Sequence, residues 1–82
     1  MTIEENWAVA MERVQAFFAQ QPDVTTTRNG FLYGDCRITL VVLDGQMGPW
    51  AMPRTLIRIE GPEAEAKAIY HRFFLRFLSA GG

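Results

Sequence analysis

The chain has 82 residues, of which 49% are hydrophobic and 21% charged, with six Phe, two Trp and two Tyr. That length suits one domain, and the composition excludes an intrinsically disordered segment, which needs low hydrophobicity and high net charge. The formal net charge is −1, so no overall field draws the molecule to nucleic acid or anionic lipid.

Further exclusions follow from single residues. Cys36 is the only cysteine, so no intramolecular disulfide is possible and a reducing, cytoplasmic setting is expected. Met1-Thr2-Ile3-Glu4-Glu5 is acidic where a secretion signal would be basic. The longest apolar run, Ile38 to Leu43, already includes Thr39 and falls far short of the roughly 20 residues a membrane span needs. A domain of this size buries only about 60–65% of the surface its unfolded chain exposes. The supply of apolar side chains is therefore generous, and a second copy or a larger assembly is the expected way to cover the surplus.

In chain order, the first element expected is a helix. Thr2-Ile3-Glu4-Glu5 has the S/T-x-x-E pattern of a capping box. Ile3, Trp7, Met11, Val14 and Phe18 recur at spacings of three and four, with Ala10 and Phe17 beside them, until Pro22 ends the helix near Gln20 or Gln21.

Residues 23–60 read as β structure. Val24 to Thr27 is β-branched, and Asn29-Gly30 is a strong signal for a two-residue hairpin turn, with Phe31-Leu32-Tyr33 returning. Gly34-Asp35 marks a bulge or a bend, so residues 31–43 form either one bent strand or two. Arg54 to Glu60 alternates as a further strand. Between these lies the segment 44–53, long for a hairpin loop and unusually apolar, with Met47, Trp50 and Met52.

A second helix opens at Gly61-Pro62-Glu63. Glu63 and Glu65 stand near its positive end, and Arg72 and Arg76 near its negative end. Ala66, Ile69, Tyr70, Phe73, Phe74, Phe77 and Leu78 form one long stripe, largely aromatic. The expected fold class is α+β, in the order α-β-β-β-α: an antiparallel three-stranded sheet, four-stranded if residues 31–43 divide, with two helices packed on one face.

Strand alternation assigns Cys36, Ile38, Leu40 and Val42, with Thr55, Ile57 and Ile59, to the face beneath the helices. The opposite face then carries Arg37, Thr39, Val41 and Leu43, with Arg54, Leu56, Arg58 and Glu60. A fully solvated face does not require those aliphatics, and a fully buried one does not tolerate unpaired arginines. Three readings fit: a solvated face rich in β formers, a protein interface, or a surface for an anion or nucleic acid. Trp50 either caps the core edge or serves as an interface anchor.

Catalytic chemistry is poorly supplied. Cys36 falls within a strand and His71 on the polar side of the second helix, so they do not form a nucleophile–base pair. One His and one Cys cannot close a metal site, and no phosphate-binding glycine motif or nucleophile elbow occurs. No enzyme activity, metal or cofactor is expected.

Two resemblances frame the alternatives. Gly81-Gly82 resembles the diglycine tail of ubiquitin-like sulfur carriers, although here it follows the aromatic stripe closely and reads as a helix C-cap. The α-β-β-β-α order resembles the topology of the double-stranded RNA-binding domain over most of the chain. That family grips phosphates through a lysine-rich start to its second helix. Here that place holds Gly61-Pro62-Glu63-Ala64-Glu65 with Lys67 the lone base, and Gly48-Pro49 is followed by Trp50-Ala51 with no histidine. The expected function is thus a non-enzymatic protein-interaction domain, a homodimer or a subunit of an assembly, contacting its partner through Arg37, Val41, Leu43, Leu56 and Arg58, with Trp50 in the 44–53 loop. The alternative is a binder of nucleic acid or another anion through the sheet arginines.

Overall fold

A computed structural model describes residues 1–43 and 53–78. The elements are β1 (Thr2–Trp7), α1 (Met11–Gln20), β2 (Val24–Thr27), β3 (Gly30–Tyr33), β4 (Cys36–Val42), β5 (Thr55–Glu60) and α2 (Glu63–Phe77). The five strands form one antiparallel sheet in the order β1-β5-β4-β3-β2. The α+β class is as expected, but the order is β-α-β-β-β-β-α. The topological resemblance to the double-stranded RNA-binding domain therefore does not hold.

The largest correction is at the N-terminus. Residues 2–7 are not the start of a helix but a strand, paired with β5 from Thr2 opposite Glu60 to Trp7 opposite Thr55. The apolar signal there is ambiguous by arithmetic: Ile3 and Trp7, four apart, share a face in a helix and also in a strand. Pairing decides the outcome. Without β1, β5 would be an exposed edge along its whole length. The helix begins instead at Met11, and Ala10, with no side chain able to cap it, occupies the N-cap. Nothing in the sequence marks that start.

The second correction concerns the hairpins. Thr27 pairs with Gly30, so the first turn is centred on Arg28-Asn29 and not on Asn29-Gly30. The partner register moves by two residues, which leaves every side chain on its expected face. Gly30 is required beyond the turn: it has φ +156°, and a Cβ there would collide with the Ile38 carbonyl oxygen. Gly34-Asp35 is a true two-residue turn, with Tyr33 opposite Cys36. Gly34 takes φ +57° and Asp35 does not turn positive, as a II′ turn demands. The Asp35 backbone N–H donates to the Glu65 carboxylate at 2.9 Å, so α2 holds the tip of this hairpin. Residues 31–43 are thus two strands.

Both helices lie on one face of the sheet. Val14, Phe17 and Phe18 from α1 and Ala66, Ile69, Phe73 and Phe77 from α2 share one core cluster with Phe31, Cys36, Ile38, Ile57 and Ile59. Its centre is aromatic. Phe73 stacks on Phe18 at 5.8 Å and meets Phe17 and Trp7 edge-on. Each fully buried ring or branched aliphatic contributes about 1.5–3 kcal/mol by leaving water. The buried hydroxyl of Thr55 is satisfied by donating to the Val9 carbonyl at 2.7 Å. At the far end of the helices, Arg72 donates to both carboxylate oxygens of Asp23, at 2.8 and 3.2 Å, and lies over the Tyr33 ring. No helix among the described residues is long and apolar enough to cross a membrane.

Candidate functional site: the open face of the sheet

The face turned away from the helices is set by register. One row across the strands runs Thr2, Glu60, Arg37, Leu32 and Thr25. The next runs Glu4, Arg58, Thr39, then Gly30 and Thr27, and a shorter one holds Asn6, Leu56 and Val41. Neither helix covers these residues.

The structure brings Arg37, Val41, Leu56 and Arg58 together on this face. Leu43 follows the last residue of β4, half-buried, with its N–H donated to the Arg54 carbonyl at 3.1 Å. Trp50 and most of the 44–53 loop lie outside the described residues, as do Gly81 and Gly82. Val41 is 46% exposed and Leu32 40% exposed. Leu56 is half-buried between its neighbours.

The charges on this face are of both signs. Arg58 sits between two carboxylates, with its Nε 3.7 Å from Glu4 and 3.5 Å from Glu60. All three side chains are between 41% and 50% exposed, so the pairs are solvent-screened and each is worth at most about 1 kcal/mol. Arg37 stands directly opposite Glu60 in the ladder. Glu4 and Glu60 stand against Arg37 and Arg58, and Arg54, held to Asn6 through its Nε, adds a further positive charge at the end of the face. A polyanion would meet two carboxylates here along with the arginines, which weakens the electrostatic advantage such a ligand needs.

Glu4 and Asn6 were not legible as part of this face while residues 2–7 read as a helix. Leu32 was also missed, because a single leucine in a short strand carries no periodic signal. The informative cue was cross-strand complementarity: Glu4 opposite Arg58, and Asn6 accepting from Arg54 Nε at 2.9 Å.

The other candidates separate. Cys36 is buried at the start of β4, where its thiol donates to the Pro62 carbonyl at 3.7 Å, and burial pushes its pKa up. His71 is exposed on the flank of α2. A thiol held protonated and covered is not a nucleophile. Among the described residues no group of three or more His, Cys, Asp or Glu side chains is placed to hold a metal ion. No family model matches the chain, and no curated protein or solved structure matches it either, so the open face must be interpreted from its own residues.

Proposed function

We propose that the chain is a non-enzymatic, cytoplasmic protein-contact domain that associates with a second copy of itself, or with a subunit of an assembly, through the open face of its sheet. One observation carries this: the face combines half-exposed Val41 and Leu32 and half-buried Leu56 with charges of both signs. An interface built on a twofold axis must be complementary to itself. A surface holding carboxylates and arginines around aliphatics can satisfy this, since the glutamates of one copy can meet the arginines of the other. The internal pairs of Arg58 are weak enough to exchange partners. Arg37, Val41, Leu43, Leu56 and Arg58 are the proposed contact residues, with Trp50 as the expected anchor in the neighbouring loop. Binding of nucleic acid through Arg37 and Arg58 finds no support in this charge pattern.

Light scattering across a concentration series tests the proposal. The expected result is a mass rising from one chain to two. Val41→Asp, which places a further carboxylate beside Leu56 on the face without touching the core, is expected to weaken association by roughly tenfold or more. A strict monomer at millimolar concentration overturns self-association through this face.

A further inference from the structure

A second surface without a partner among the described residues lies along β1 and the flank of α2, and it is independent of the open face. Met1 and Gly61 exchange backbone hydrogen bonds, with the Met1 amino group donating to the Gly61 carbonyl at 2.9 Å and the Gly61 N–H to the Met1 carbonyl at 3.0 Å. In an antiparallel ladder such pairs alternate. Ile3, Glu5 and Trp7 therefore spend their backbone groups on β5, and Thr2, Glu4 and Asn6 direct theirs outward from the sheet edge.

Beside that edge runs a cleft in two parts that meet at Tyr70 and Phe74. The part at the Ile3 end has a volume of about 490 Å³ and is lined by Ala64, Lys67, Ala68 and His71. The part at the Trp7 end, about 440 Å³, is lined by Glu5, Ala8, Arg54 and Leu78. Tyr70, Phe74 and Leu78 continue the aromatic stripe of α2 past the core, and Leu78 is 53% exposed.

We propose that this edge and cleft bind an extended segment of another protein, added antiparallel to β1, with the pattern apolar-x-basic-x-apolar. The spacing follows from the strand. Ile3 and Trp7 stand four residues apart on the cleft side, with Glu5 between them. An added strand presents residues at the same period of two. Its two outer side chains enter the two parts of the cleft, and the central one faces Glu5. A Lys or Arg there meets a carboxylate and is favoured; an acidic residue is repelled. The intervening residues lie opposite Asn6 and Glu4 and make the backbone bonds that β1 leaves open.

A second copy of β1 does not fit this edge. A twofold axis perpendicular to the sheet pairs residues of equal parity, and the two registers that use most of the strand set Glu4 against Glu4 or Glu5 against Glu5. Like charges directly opposed destabilise such a ladder.

The test uses the capped peptide acetyl-Thr-Leu-Thr-Lys-Thr-Leu-Thr-amide and its counterpart with Glu in place of Lys, followed by backbone NMR. The Lys peptide is expected to bind, to slow amide exchange at Thr2, Glu4 and Asn6, and to bind roughly tenfold more tightly than the Glu peptide. In Glu5→Lys the preference is expected to reverse, which a merely misfolded variant would not show. Absence of binding overturns the proposal. So does equal affinity for the two peptides, or a response confined to Val41 and Leu56 on the open face. Concentration-dependent protection of Thr2, Glu4 and Asn6 in the protein alone would assign the edge to a second copy and overturn it as well.

Discussion

Phe73 is fully buried where the two helices meet above the sheet, in contact with rings from β1, α1 and α2 itself. Phe73→Ala is expected to cost about 3–5 kcal/mol in urea unfolding, since the five surrounding rings cannot collapse into the space. Leu75→Ala, on an exposed position of the same helix, is expected to stay within about 0.5 kcal/mol. Thr55→Val conserves shape but leaves the Val9 carbonyl without its donor, and about 1–3 kcal/mol should be lost. Asp23 offers a check by pH. The Arg72 guanidinium holds its carboxyl below the ordinary carboxylate value. A depressed folded-state pKa gives stability that is present above the unfolded-state pKa and is lost as pH falls through the folded one. The melting temperature of Asp23→Asn should therefore lie below that of the wild type near neutral pH. The two should converge only as pH falls through the lowered folded-state pKa of Asp23, where both side chains are neutral. That ion pair was not legible from sequence: Arg72 looked sufficient as a charge near the helix C-terminus, and nothing local connects it to a residue 49 positions earlier.

The elements were legible in proportion to how local their cause is. The second helix carries its own stripe and charge placement, and β4 and β5 their β-branched alternation, so all three stood out. β1 did not, because its conformation is imposed by β5, about fifty residues away. Hydrogen exchange distinguishes the strand from the helix that its capping-box pattern suggested. The amides of Ile3, Glu5 and Trp7 should be protected and those of Thr2, Glu4 and Asn6 open, whereas a helix would protect every amide after its first turn. The hairpins supply another test. Gly30→Ala drives a Cβ into the Ile38 backbone, which cannot swing aside, while Gly34→Ala meets only the end of the Glu65 side chain. Both carry a left-handed strain of about 1–2 kcal/mol, and by thermal unfolding Gly30→Ala should be the more destabilising.

At the scale of the whole molecule, the described residues leave one side of the sheet and one side of a helix uncovered because two helices suffice for only one layer. The half-aliphatic, half-charged character of the open face was readable from alternation alone, since faces depend only on parity. Its full mixture of charges was not, because Glu4 joins the face only once β1 is a strand. That mixture turns the interpretation from a cationic surface towards a self-complementary one. The most direct measurement is a mixed sample of isotopically labelled and unlabelled chains, examined for intermolecular contacts at high concentration. Self-association through the open face predicts contacts between the methyl groups of Leu32, Val41 and Leu56 in one copy and the same face of the other. A concentrated sample showing no intermolecular contacts, or showing them only along β1 and α2, would contradict it.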